Sequence, residues 1–260
     1  MRRPVRRYWG TPRDAAVRPV VPWRGRLARF VRLAGAALGA AALLVGADRA
    51  LHVATTSPAF AVRAVQVEGA VHEDPEQLAA ATGARGANVF RLDLAAVRER
   101  LLARPWVADA SVRRVVPDTL VVRVLERTPV ARWQRAGGEA LVDGAGVVVA
   151  EGAEAARFEV PRIEGAEDAA ALALAAATVQ ALREAAPQLH AALRRLEVTG
   201  PQGMTLHAEG QPPVLVSGPD SVDEVVGWLE HGAALGRQLG PVRQVDARWR
   251  DRLFVRPDEG

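Results

Sequence analysis

The chain has 260 residues, of which 49% are hydrophobic and 25% are charged, so it is long and apolar enough to build one or two folded domains. It contains no cysteine, which excludes disulfide bonds and thiolate metal sites. The net charge is +4, but residues 1–32 carry ten arginines against one aspartate, a charge of +9, which leaves −5 for the remainder. A mildly acidic body argues against nucleic-acid binding, because such binding needs a basic surface.

An uncharged segment follows the basic N-terminal residues. As a helix, residues 33–47 would be about 22 Å long, short of the roughly 30 Å hydrocarbon core of a bilayer. Residues 30–54 are long enough to span it if Arg32 reaches one interface and Asp48 with Arg49 reaches the other. We interpret residues 30–54 as a transmembrane signal anchor. A cleaved signal peptide and a buried alanine-rich core helix are the alternatives.

The arginines also predict the topology of such an anchor. Basic residues flanking a span are retained in the cytoplasm, so residues 1–29 are predicted to form a basic, disordered cytoplasmic tail. Everything after the helix is then expected in the periplasm or its equivalent outside the cell membrane. A preceding tail of this length is unusual for a cleaved signal peptide, which favours an anchor in the inner (cytoplasmic) membrane.

Residues 60–128 predict a small α+β domain in the order strand, helix, helix, strand, strand. Alternating valines end at Gly69 and indicate the first strand. Asp74 and Asp93 are suited to cap the starts of two short helices. Two β-rich runs follow, separated by a turn at Pro117. Two helices can cover one face of a three-stranded sheet of this size.

Residues 60–131 contain four short sequence motifs. F-x-V-x-x-V-x-V-x-G at residues 60–69 is followed by P-W at 105–106, P-x-T-L at 117–120 and E-R-x-P-V-A at 126–131. In this order and spacing the motifs resemble the POTRA domain of the FtsQ/DivIB cell-division family. Most motif residues also suit an ordinary core. We expect Trp106 in that core, and Arg114 with Glu126 as a cross-strand surface pair.

Residues 129–256 predict a mixed β-sheet domain with two helices. A hairpin at 141–149 is expected to turn at Asp143 and Gly144 with positive φ angles, and an alanine-rich helix covers 168–185. Runs at 195–199, 204–208 and 214–216 predict strands. Ser221 with Glu224 predicts a capping box at the start of the second helix. The closing segment, 244–255, resembles the terminal strand pair of FtsQ.

The resemblance implies a protein-binding site on the strand near residue 249. In the family this late strand is an exposed sheet edge to which FtsB adds a strand, and the FtsB–FtsL pair is recruited there. The role carries over to four residues of this chain: Arg248, Trp249, Arg250 and Phe254. Bound to FtsB-like and FtsL-like partners at the septum, the chain would help to recruit and regulate septal peptidoglycan synthesis by FtsW/FtsI-type enzymes.

The sequence shows no pattern typical of an enzyme. Its five histidines lack metal-ligand spacing, and no nucleophile or phosphate-binding motif occurs. We therefore expect a non-enzymatic divisome scaffold, with no catalytic residue, metal, cofactor, small-molecule substrate or nucleic acid. The alternative is a POTRA-containing export or outer-membrane assembly component, but the chain after Pro129 is too short for a barrel of about eight strands. A cell-wall hydrolase is a third hypothesis, and it lacks a catalytic cluster.

Overall fold

The computed structural model describes residues 23–200 and 203–258, which belong to two separate units, Met1–Ser57 and Pro58–Gly260. Within its described residues the first unit is one helix, α1, from Trp23 to Thr56. Its 34 residues give a length of about 51 Å, well above a bilayer's hydrocarbon thickness. The helix begins earlier than the predicted anchor, so residues 23–29 of the predicted tail are helical. Residues 1–22 of that tail lie outside the described residues.

The composition of α1 is that of a membrane span. Residues 27–56 form a stretch long and apolar enough to cross a membrane, and none of its most apolar part is buried against protein. Large side chains such as Leu38, Leu43 and Leu44 are more than 70% exposed. Within the described residues this is the one helix that is long and apolar enough to cross a membrane, so α1 is a candidate single transmembrane helix.

The second unit begins with a three-stranded sheet covered by two helices, in the predicted order. The elements are β1 (Ala64–Glu68), α2 (Pro75–Ala81), α3 (Leu94–Leu102), β2 (Val107–Val115) and β3 (Thr119–Glu126). β3 lies in the centre, parallel to β1 and antiparallel to β2. Leu78 and Leu101 of the helices pack on Leu120 and Val122 of β3 in one apolar cluster. Burying such side chains is the main favourable contribution to folding of a domain this small.

Both predicted helix starts are capped by the residues that indicated them. Asp74 accepts a hydrogen bond from the Glu76 amide at 2.9 Å, and Asp93 accepts from the Ala95 and Ala96 amides at 2.9 and 3.1 Å. These bonds satisfy amides that have no partner inside the helix. The caps therefore begin α2 and α3 where the sequence predicted.

Arg114 and Glu126 do not form the predicted pair. Arg114 lies opposite Leu120 and donates from Nε to the carbonyl oxygen of Val89 at 2.7 Å. The Glu126 carboxylate accepts from the amides of residues 71–73 at 2.9 to 3.1 Å. Each charged group therefore holds a loop by bonding to its backbone, and such bonds to an ionised group are stronger than neutral ones.

The rest of the second unit is a nine-stranded mixed sheet with helices, as the fold class predicted. Its strands are β4 (Pro129–Arg135), β5 (Gly138–Asp143), β6 (Val148–Glu151), β7 (Arg162–Glu164), β8 (Leu193–Gly200), β9 (Gly203–Ala208), β10 (Val214–Val216), β11 (Val242–Trp249) and β12 (Arg252–Pro257). The strand order is β12-β11-β10-β9-β8-β7-β4-β5-β6, so β12 and β6 are the two edges.

Three α-helices accompany this sheet in the described part of the chain, one more than predicted. They are α4 (Ala169–Ala185), α5 (Pro187–Ala192) and α6 (Val222–Leu239). Pro187 ends α4 as expected but then opens α5, because proline is well suited to the first turn of a helix. Side chains of α4 and α6 pack with the sheet in the largest cluster of the protein, around Leu182, Val225 and Ile163.

The hairpin between β5 and β6 turns differently from the prediction. Its positive φ, +78°, lies at Gly146, not at Asp143 or Gly144. The Asp143 carboxylate instead accepts from the amides of Ala145 and Val147 at 3.0 and 2.9 Å. A side chain that bonds its own turn in this way replaces the tighter two-residue geometry.

Trp106 is buried, as expected, but not in the core of the three-stranded domain. With 6% exposure it belongs to a separate cluster with Leu141, Val149 and Ala155 of the mixed-sheet domain. Its indole Nε1 donates to Glu154 Oε1 at 3.2 Å. This tryptophan therefore joins the two domains of the second unit.

Candidate partner-binding sheet edge

The predicted binding residues lie on or beside the last hairpin of the chain, formed by β11 and β12. The two strands are antiparallel, with Val245 opposite Val255 and Asp246 opposite Phe254. β11 also pairs with β10 in parallel, through Val245 and Asp246. In the described part of the chain β12 has β11 as its one neighbour, so the outer side of β12 is a sheet edge.

The hairpin turn is held by a helix. Asp251 has a φ of 60° in the left-handed region, and its amide donates to Oε1 of Glu224 in the first turn of α6 at 2.9 Å. The predicted capping box is therefore absent: Ser221 precedes α6 but makes no side-chain cap bond. Its hydroxyl instead accepts from the Ser217 amide at 3.1 Å. Glu224 thus positions the β11–β12 turn rather than the helix start.

One face of the hairpin is part of the core. Val245 and Ala247 of β11 are fully buried, and Leu253 and Val255 of β12 pack against the same cluster. Successive residues of a strand point to opposite faces, so this alternation fixes the orientation of the hairpin. The polar residues between them, starting with Asp246, therefore face away from the helices.

The other face forms a shallow cleft of about 310 Å³ beside the sheet edge. Its lining residues are Leu215, Gln244, Asp246, Arg248, Phe254, Val255, Arg256 and Pro257. Phe254 is 54% exposed and Trp249, at the end of β11, is 57% exposed. Exposed aromatic side chains of this kind are enriched where proteins bind each other.

Arg248 is oriented by its own strand. Its Nε donates to Asp246 Oδ1 at 2.9 Å and its Nη2 to Oδ2 at 2.6 Å, a two-point contact. The hydrogen bonds from Arg248 lower the pKa of Asp246, against the opposing effect of burial. The same side-chain bond raises the pKa of Arg248. The guanidinium is thus held in one orientation on the face that carries the cleft.

The four predicted contact residues occupy three different positions. Arg248 and Trp249 end β11, Arg250 lies in the turn, and Phe254 lies on β12. The structure therefore gathers all four around one hairpin but places the open edge one strand later than predicted, on β12. The role of Glu224 at this hairpin could not be predicted from the local pattern, since its contact with Asp251 joins residues far apart in the chain.

Comparison with known proteins identifies the family. A model of the FtsQ-type POTRA domain matches residues 60–127, and a model of the C-terminal region of cell division protein FtsQ/DivIB matches residues 131–248. Cell division protein FtsQ of Syntrophotalea carbinolica is 30% identical over 258 residues, which are 94% of this chain and 90% of that relative. The chain belongs to the FtsQ/DivIB cell-division family.

Two other FtsQ proteins align over shorter regions. FtsQ of Zymomonas mobilis is 38% identical over 108 residues, 41% of this chain and 34% of the relative. FtsQ of Corynebacterium glutamicum is 35% identical over 95 residues, 36% of this chain and 43% of the relative. These two alignments span less than half of each relative's own length, so they support membership of the FtsQ family without describing a whole-protein activity.

The match to the FtsQ/DivIB C-terminal region stops at residue 248. Of the predicted contact residues, Arg248 lies inside the matched region, whereas Trp249, Arg250 and Phe254 follow it. The case for these three residues in this member of the family therefore rests on the geometry of the hairpin. Within residues 23–200 and 203–258, no three histidine, aspartate or glutamate side chains are grouped so that they could hold a metal ion.

Proposed function

We propose that this FtsQ-family chain is a non-enzymatic scaffold of the divisome, fixed in the inner membrane by α1 and presenting residues 58–260 outside the cytoplasm at the division septum. Two observations support the anchor: the length and apolar character of α1, and the arginines that precede it. Basic flanking residues favour the cytoplasmic side, so the POTRA and C-terminal domains would be exported.

The proposed scaffold binds an FtsB-like partner by accepting a strand at the outer edge of β12. The observation that carries this proposal is the position of β12 at the end of the nine-stranded sheet, with β11 as its one neighbour among the described residues. A free strand offers a row of amides and carbonyls to another chain. Added main-chain hydrogen bonds supply affinity, while side chains beside the edge select the partner. Trp249 and Phe254 are the exposed side chains suited to that selection.

The charge of the hairpin favours an acidic partner segment. Residues 242–258 contain five arginines and three aspartates. One of those arginines, Arg248, is already paired with Asp246, whereas Arg250 and Arg252 at the turn are exposed. Opposite charge accelerates encounter and disfavours wrong partners more than it adds affinity. The FtsB-like partner would bring an FtsL-like protein and, through it, FtsW/FtsI-type enzymes of septal peptidoglycan synthesis.

Copurification with the FtsB-like partner tests the binding site. Trp249→Asp and Phe254→Asp should each weaken binding about tenfold or more, because a charge replaces an apolar contact at the interface. Leu125→Asp is the matched control, since Leu125 is 65% exposed and lies on β3 of the POTRA domain. All three variants should keep the circular dichroism spectrum of the unmodified chain. Undiminished copurification of both hairpin variants would refute the site.

Depletion of the protein in its native bacterium tests the cellular role. Loss of a division scaffold should yield long cells without septa, and a fluorescent fusion at the N-terminus should gather at mid-cell before constriction. Cells of normal length with normal septa would contradict the proposal whatever the result of the binding assay.

A further inference from the structure

The POTRA domain has two distinct ends, and the chain enters it at one of them. At this end three segments, residues 60–63, 88–92 and 114–118, are tied together. The Val89 amide donates to the Phe60 carbonyl at 2.7 Å, and the Arg63 amide donates to the Asp118 carbonyl at 2.8 Å. Arg114 in turn holds the middle segment through the Val89 carbonyl. The three segments therefore form one fixed surface rather than independent loops.

This surface combines exposed apolar and basic side chains. Phe90 is 43% exposed and packs edge-to-face on Phe60, with ring centroids 5.1 Å apart. Val116 is 58% exposed. The Arg63 side chain is 71% exposed, and its nearest carboxylate, Asp118, lies at 4.0 Å and is itself 27% exposed. Together with exposed Arg91, these residues (Phe60, Arg63, Phe90, Arg91 and Val116) are named the Phe90 patch.

Chain length limits how far this patch lies from the end of α1. Thr56 ends the helix and Phe60 begins the patch, so the link is three residues, Ser57, Pro58 and Ala59. A fully extended chain covers at most about 3.5 Å per residue, which puts Phe60 within roughly 14 Å of Thr56. If α1 crosses a bilayer and ends at its surface, a link this short keeps Phe60 close to the headgroup region, which is roughly 5–8 Å deep on each side.

We infer that the Phe90 patch binds the lipid headgroups of the membrane that α1 crosses, with Phe90 and Val116 at the interface and Arg63 and Arg91 on lipid phosphates. Aromatic rings are favoured at the boundary between hydrocarbon and water. Arginine side chains near a membrane surface are attracted to anionic lipids. This inference rests on the proposed membrane insertion of α1, and it adds a second, reversible contact that would restrict the orientation of the POTRA domain.

Lipid-borne quenching tests the contact, and the absence of native cysteine makes it straightforward. Full-length Val116→Cys and Val71→Cys variants are labelled with an environment-sensitive fluorophore. They are then inserted into vesicles of equal parts phosphatidylcholine and phosphatidylglycerol, with and without nitroxide-headgroup lipid. Val71 is the matched control, because it is 79% exposed but lies after β1 at the opposite end of the same domain. The label at position 116 should be quenched and blue-shifted, and the label at 71 should not.

A second variant tests whether quenching at position 116 depends on the side chains of the Phe90 patch or only on the short link to α1. Adding Phe90→Ser and Arg63→Ser to the Val116→Cys chain should remove most of the quenching, while circular dichroism stays unchanged because both side chains are exposed. Equal quenching at 116 and 71, or quenching that survives the double substitution, would overturn the inference. Alkaline extraction is measured in parallel: release of the chain from the vesicles would overturn both the membrane anchor and the lipid contact. Retention without quenching at 116 would overturn the contact alone.

Discussion

The imidazole ring of His72 is stacked on the indole of Trp106, with centroids 4.4 Å apart and planes inclined by 8°. His72 follows β1 of the POTRA domain, and Trp106 lies just before β2. Phe158 of the C-terminal domain packs against both rings, at 5.8 and 5.7 Å. These three rings form a joint between the POTRA domain and the C-terminal domain.

Replacement of Trp106 should loosen this joint. Trp106→Ala is expected to lower the free energy of unfolding of residues 58–260 by about 3–5 kcal/mol, because it leaves a cavity where a buried indole packed. Trp249→Ala is the control, since that indole is 57% exposed and should change stability by less than about 0.5 kcal/mol. Urea unfolding followed by circular dichroism measures both. An equal decrease in the free energy of unfolding of the two variants would contradict a stabilising role for the joint.

Glu126 should make the stability of the joint depend on pH. Burial raises the pKa of its carboxyl, but hydrogen bonds from the Glu73, Val71 and His72 amides and from the His72 ring outweigh burial, so the net shift is downward from 4.5. A carboxyl with a lowered folded pKa stabilises the fold above its unfolded pKa, and that contribution is lost as pH falls through the folded value.

The corresponding measurement compares the unmodified chain with Glu126→Gln across pH. Near neutrality the variant should be less stable by about 1–3 kcal/mol, because charged hydrogen bonds to three amides are lost. The difference should shrink as the solution is acidified below 4.5, the ordinary value for glutamate. A stability difference that is constant with pH would mean that the charge of Glu126 has no part in holding residues 71–73.

Gly69 should tolerate no side chain. Its φ is +87°, and a Cβ atom there would lie 2.2 Å from the carbonyl oxygen of Val124. Gly86 is the matched control, with a φ of +82° and nothing within 4 Å of its would-be Cβ. Gly86→Ala should cost about 1 kcal/mol for the backbone conformation alone. Gly69→Ala should cost at least about 2 kcal/mol more, from the clash. Thermal unfolding of the two variants measures the difference, and similar midpoints would contradict it.

Glu224 should keep the β12 edge ordered through its contact with Asp251, not by contacting a partner. Glu224→Ala removes the acceptor of the Asp251 amide, so the hairpin turn should open more often and the amides of β12 should exchange faster with solvent. Asp223→Ala is the control, because it removes the same charge from the first turn of α6 at an exposed position. Hydrogen exchange of residues 250–257 distinguishes the two. Identical exchange in both variants would contradict a positioning role for Glu224.

Local sequence signals were sufficient for most of the helices and strands. Asp74 and Asp93 each cap the helix that they predicted, because a capping side chain bonds amides only two or three residues away. The valine alternation before Gly69 likewise marks a strand end through short-range geometry. Such signals do not depend on the rest of the fold.

Long-range partners could not be predicted in the same way. Glu224 was expected to cap its own helix, but its carboxylate meets an amide 27 residues away. Glu126 was expected to pair with Arg114, but its carboxylate accepts hydrogen bonds from three backbone amides instead. The open edge was expected near Trp249, yet β12 folds back outside β11 and takes that place. In each case tertiary packing decided between partners that the local pattern left equivalent.

Hydrogen exchange across β12, with and without the FtsB-like partner, tests the proposed mode of binding most directly. If the partner adds a strand, the amides of residues 252–256 that face away from β11 should become protected on binding. Amides of β6, at the far edge of the same sheet, should exchange as before. If protection appears elsewhere while the outward amides of β12 still exchange at the unbound rate, strand addition at this edge is contradicted.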